Sequence, residues 1–142
     1  LSGKKLNRKL TVKSTTDNLS RVREFIRGAA SDSGFPEEDI NKIILAVDEA
    51  CTNVIKHAYK YSPKGEISIT AKKEKNKLTI SIYDHGYHFN PGAIPEPDIE
   101  ELHKQRKIGG LGMFLMKKLM DEVIYNISSD SNQVILVKYF NK

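Results

Sequence analysis

The stretch Ile40–Ala58, INKIILAVDEACTNVIKHA, decides the architecture, because its apolar residues hold a single period from end to end. Ile40, Ile43, Ile44, Val47, Cys51, Val54, Ile55 and Ala58 fall in one broad stripe when turned by about 100° per residue. That period predicts a helix from Pro36, whose fixed φ suits a first helical position, to about Lys60. Measured from Ile40, Glu49 lies at about 180° and Asn53 at about 220°, so the two share a face opposite the stripe, one turn apart. Such a helix needs an apolar surface beneath it, and the flanking segments supply one.

Upstream, Gly34-Phe35-Pro36 breaks the chain after Leu19, Val22, Phe25, Ile26 and Ala29, which recur at helical spacing behind Asp17 as a cap. Before that helix, Leu6, Arg8, Leu10 and Val12 alternate as a first strand. Downstream, Ser62-Pro63-Lys64-Gly65 reads as a turn. Ile67, Ile69 and Ala71, then Leu78, Ile80 and Ile82, alternate on either side of a polar stretch containing Asn76, which predicts an antiparallel hairpin. A third helix is expected from near Gly110 through Phe114, Leu115 and Leu119. Strands follow over 123–128 and 133–140, joined by Ser129-Asp130-Ser131-Asn132. The order β-α-α-β-β-loop-α-β-β is α+β: a mostly antiparallel sheet with helices on one face, in a single domain over 1–142. The segment from about 87 to 108 carries Pro91, Pro95 and Pro97, then acids, then Lys104, Arg106 and Lys107; a connection of that length reads as a lid.

Composition narrows the function classes. Hydrophobic residues make up 39% and charged residues 29% of the 142, an ordinary folded balance. The longest aliphatic run, Ile43–Val47, is far below the ~18 residues of a membrane span. The basic, alternating start from Leu1 to Val12 has no apolar block of the signal-peptide kind, and a first residue other than Met reads as a trimmed chain. One cysteine, Cys51, excludes an internal disulfide framework and points to a reducing cytoplasm. The net charge of +5 is concentrated in residues 1–28, where eight Lys/Arg face only Asp17 and Glu24. No aromatic residues interleave with this excess for base stacking, so it reads as a solvated face or a surface for an acidic protein partner rather than for nucleic acid.

Three segments carry residue types suited to chemistry. On the helix, Glu49 offers a general base and Asn53 an amide oxygen for Mg²⁺; the same spacing also describes a solvated helix face. At a strand end, Asp84-His85-Gly86 can present a carboxylate to a ligand's amino group, or simply form a turn. Gly109-Gly110-Leu111-Gly112 precedes a helix and, with Arg106 and Lys107 upstream, suits phosphate, or else serves as a hinge. His57, His85, His88 and His103 show no zinc spacing, Cys51 sits in the apolar stripe as filler, and Asp48 reads as a structural acid.

Taken in order, these segments resemble a known family. Val47–Tyr59 is similar to the N box of the GHKL (Bergerat-fold) ATPases, Asp84–Pro91 to their G1 box, and Gly109–Met116 with Leu119–Val123 to their G2 box and following helix. The details are nearest to the anti-sigma-factor serine kinases of the RsbW/SpoIIAB type, with His88 where a fuller Asp-x-Gly-x-Gly box has its second glycine. The resemblance implies a Bergerat two-layer sandwich binding ATP and Mg²⁺. Asp84 would accept from the adenine amino group, Gly86 would shape the loop, and Asn53 would hold Mg²⁺. The backbone of Gly110, Leu111 and Gly112, with the lid and its Arg106 and Lys107, would cradle the phosphates, and Glu49 would be the base toward a substrate serine. It implies further a homodimeric anti-sigma factor that phosphorylates an anti-anti-sigma (STAS-domain) antagonist and sequesters a sigma factor. The alternative is a nucleotide-sensing module of the same fold without kinase activity.

Overall fold

Alternation in the sequence becomes strand wherever one face can be buried. The computed structural model describes residues 5–88 and 116–140. Within these lie β1 (Leu6–Lys13), α1 (Leu19–Ser33), α2 (Glu37–Asn53), a π-helical turn (Val54–Ala58), β2 (Glu66–Lys73), β3 (Lys77–Asp84), β4 (Glu122–Ile127) and β5 (Asn132–Tyr139). The strands form one antiparallel sheet in the order β1-β2-β3-β5-β4. The α+β architecture read from the sequence is therefore present.

The register explains the core. Leu10, Ile69, Ile82, Val134 and Tyr125 stand side by side across the sheet, and Arg8, Ala71, Ile80, Leu136 and Val123 form the next row on the same face. Onto this face pack α1, against β1 and β2, and α2, against β5. Val22, Ile26, Ile43, Val47, Cys51 and Ile55 meet the strand residues in one buried cluster. The third row across the sheet is Val12, Ile67, Asp84, Asn132 and Ile127. Two polar residues thus continue a buried apolar row, and both are buried themselves. Polar groups in such a position cost stability unless they are hydrogen-bonded, so they mark where to look for function.

Three local expectations are corrected. Asp17 does not cap α1: it lies inside a 3₁₀ turn, Thr16–Asn18, that runs straight into the helix, and Asn18 takes the cap position. Asn18 Nδ2 is turned back to Lys13 O (3.0 Å), so no side chain caps the first turn. Pro36 is the N-cap of α2 rather than its first residue; its ψ of 160° is extended, and its carbonyl accepts from Asp39 N and Ile40 N. The second helix stops being α-helical at Asn53 and widens to the π turn. Lys60 and Tyr61 then close it in the left-handed region, with φ of 49° and 66°. Gly34, at φ 105°, ends α1 as the sequence break indicated.

Four of the eight basic residues of the N-terminal excess are paired among the described residues. Arg8, Arg23 and Arg27 pair with Asp32, Asp48 and Glu37 at 2.5–2.7 Å, and Lys13 with Glu66 at 3.7 Å. Exposed pairs of this kind add little stability, but they offset part of the charge that a phosphate backbone would track. Among the described residues no helix is long and apolar enough to cross a membrane. The lid segment beyond His88 and the Gly109–Gly112 run, with Arg106 and Lys107, lie outside the described residues. Residues 116–119, inside the expected third helix, are helical.

Candidate functional site at the end of the second helix

Asn53 and Asp84 line one cavity, with Ala50, Val54, Met116, Tyr125, Ile127 and Val134 as its apolar wall. Its volume is about 30 Å³, room for about two waters. Mostly apolar walls with a few convergent polar groups suit a flat, partly polar ligand.

Asn53 reaches this place against the simplest geometry. Opposite the apolar stripe a side chain should meet solvent, yet Asn53 is only 7% exposed. Ala46 and Ala50, which lie between Asn53 and the stripe around α2, are buried too, so the buried arc of the helix widens to Asn53, which lines the cavity with residues of β3, β4 and β5. The solvated-face alternative therefore fails for Asn53. Among the described residues nothing hydrogen-bonds its side-chain amide.

Asp84 is 2% exposed at the C-terminal end of β3. Its Oδ1 accepts from Gly86 N at 2.9 Å and from Asn132 Nδ2 at 2.7 Å. The first of these is an Asx turn, so the bland turn-residue reading is half right. Both bonds use the same oxygen, and among the described residues none reaches Oδ2. Burial pushes the Asp84 carboxyl above the usual range; Asn132, Gly86, His85 and His88 pull it back.

The helix end and the Asp84-His85-Gly86 segment are locked together by backbone. Tyr87 N donates to Ala58 O at 2.7 Å, and a Cβ on Gly86 would lie 2.4 Å from that same oxygen. Only glycine lets the loop approach this closely. Tyr59 adds a second tie: its hydroxyl donates to Glu66 O (2.6 Å) and accepts from His85 N (2.9 Å). Lys60 Nζ lies over the Tyr87 ring at 4.6 Å.

Glu49 is half-buried, one turn before Asn53, and does not line the cavity. Burial, then the neighbouring Asp48 carboxylate, push its carboxyl up, and Lys56 opposes them. Asp48 itself pairs with Arg23, in keeping with a structural acid. The Cys51 thiol is fully buried and pushed up to about 12, so it is no nucleophile. Among the described residues no group of three or more His, Cys, Asp or Glu could hold a metal.

Sequence reasoning missed Asn132 and Tyr125. Asn132 read as the end of a turn, whereas it is the first residue of β5, directly opposite Asp84. The alternation Asn132, Val134, Leu136 was the available signal, since it puts the asparagine on the core face.

Comparison with known proteins identifies the family of the chain and its fold. Residues 12–138 match the histidine kinase-like ATPase domain family. The chain is 35% identical over 129 residues to a serine-protein kinase RsbW of Bacillus licheniformis, covering 85% of this chain and 78% of that one. It is 36% identical to an RsbW of Listeria monocytogenes, covering 87% and 81%. The fold superposes on a crystal structure of the RsbU and RsbW domains of a Mycobacterium tuberculosis protein with a TM-score of 0.69 at 18% identity. That match covers 94% of this chain and 32% of the longer one.

Proposed function

The chain belongs to the histidine kinase-like ATPase domain family, among the serine-protein kinases RsbW, and from this premise we propose that it acts as an anti-sigma factor. In this reading it phosphorylates a serine of an anti-anti-sigma (STAS-domain) antagonist, sequesters a sigma factor, and works as a homodimer in the cytoplasm. The observation that carries the site is the meeting of Asn53 and Asp84, from separate elements, in one largely apolar cavity.

The residues fit the nucleotide and its metal. Asp84 keeps one carboxylate oxygen without a bond among the described residues, inside an apolar wall, which suits a flat base carrying an amino donor. Asn53 presents an amide to the same cavity, a hard-oxygen donor suited to Mg²⁺. When bound, ATP supplies the phosphoryl group and Mg²⁺ neutralises its charge. Gly110, Leu111 and Gly112, with Arg106 and Lys107, are proposed to hold the phosphates.

Glu49 stands outside the cavity, one turn before Asn53, and is proposed as the base toward the substrate serine. It takes the proton of the serine hydroxyl as the serine oxygen bonds to the γ-phosphorus. The bond from that phosphorus to the β,γ-bridging oxygen breaks, and ADP leaves. Burial raises this carboxyl above the ordinary range, which makes it a stronger base; general-base catalysis of this kind is worth roughly 10²–10⁴-fold.

Incubation with labelled ATP and the antagonist tests the reading. Phosphoserine should form with the unaltered chain and vanish in Glu49→Ala while nucleotide binding persists. Nucleotide binding without transfer in the unaltered chain would leave a sensing module instead.

A further inference from the structure

The hydrogen bonds of Asn132 extend past Asp84. Asn132 Oδ1 lies 2.7 Å from His88 Nδ1, on the other side of the amide from Asp84. Its Nδ2 faces three acceptors: Asp84 Oδ1 at 2.7 Å, Tyr87 O at 3.2 Å and Gly86 O at 3.3 Å. Those three accept only, so the nitrogen of the amide must face them and its oxygen must face His88. His88 Nδ1 therefore carries the hydrogen.

Two N–H groups shared among three acceptors do not by themselves fix the amide. The terminal torsion of asparagine is soft, and a modest rotation moves a hydrogen from Asp84 to the two carbonyls. The bond from His88 holds the opposite end of the amide against that rotation. Where Asn132 stays put, Asp84 Oδ1 keeps both of its donors, and Oδ2, which has no bond among the described residues, is left for a ligand. His88 occupies the place where the resembling family box has a glycine, and a glycine could make no such bond.

We propose that His88 is a positioning residue for base recognition: through Nδ1–H donated to Asn132 Oδ1 it fixes the amide that holds Asp84, and so aims the second Asp84 oxygen at a ligand's amino group. The inference rests on the reading of Asp84 as the acceptor for the adenine amine.

The test compares two nucleotides on the full chain by calorimetry: ATP, and purine riboside triphosphate, which lacks the 6-amino group. The unaltered chain should prefer ATP. His88→Ala should lose ATP affinity by about tenfold, the equivalent of one ordinary hydrogen bond, with the affinity for the amine-free nucleotide unchanged. His88→Asn, whose side-chain nitrogen can donate from the same position, should restore most of the preference. Equal losses for both nucleotides in His88→Ala, or an unchanged preference, would overturn the role of His88 and leave that of Asp84 intact. No preference for ATP in the unaltered chain would instead remove the Asp84 premise and the inference with it.

Discussion

Asp84 and Asn132 are directly opposite each other in the β3–β5 register, and the asparagine donates to Asp84 Oδ1 at 2.7 Å. The pair sits in a row whose other buried members, Val12 and Ile67, are aliphatic. A carboxylate in such a row loses hydration that its two bonds return only in part, which is why its carboxyl is raised. A folded-state pKa above the unfolded value means that ionised Asp84 opposes folding at neutral pH and does so less as pH falls.

Asp84→Asn follows from that sign. The amide oxygen can keep the bonds from Gly86 and Asn132, while the amide nitrogen replaces the oxygen that faces the ligand. Melting without nucleotide should be unchanged or higher. ATP affinity should fall by about 10–150-fold, the equivalent of about 1.5–3 kcal/mol for a charged acceptor. Calorimetry showing undiminished ATP affinity would remove Asp84 from the site.

Glu49 gives a pH prediction with a definite direction. Its carboxyl is raised by burial and by Asp48, so phosphoryl transfer should decline with acid at a higher pH than an ordinary glutamate would set. Asp48→Asn removes one raising charge and should move that decline to lower pH; Lys56→Met removes the lowering charge and should move it higher. Single-turnover rates across pH check both, and a limb that ignores the two changes would mean that another group is the base.

How much of this was legible beforehand varies with the physics of each part. The strands were, because one face of each is buried and period-two alternation records that directly. The burial of Asn53 was not: the stripe leaves out the small Ala46 and Ala50, both buried, which widen the buried arc of α2 to reach it. Asn132 was hidden by the turn-like Ser129-Asp130-Ser131 before it, and its partner lies on a strand far away in sequence. Lys60 and Tyr61 enter the left-handed region without a glycine to announce it.

Gly86→Ala should damage both stability and binding. The new methyl would lie 2.4 Å from Ala58 O, which is backbone and accepts from Tyr87 N, so the loop must shift. Overpacking of this kind costs about 1–3 kcal/mol. Denaturant unfolding should show that loss with an unchanged m-value, together with weaker ATP binding. A variant as stable as the parent would mean the loop does not need this close approach.

Asn53→Ala separates metal binding from base binding. Asn53 lines the cavity together with Asp84, while among the described residues no bond of the Asp84 acceptor depends on it. ATP affinity measured with Mg²⁺ should fall to the value measured in chelator, and the chelator value should barely change. The two curves, separated in the parent, should coincide. If affinity in the variant still rises with Mg²⁺, another oxygen holds the metal, and Asn53 is left with a packing role only.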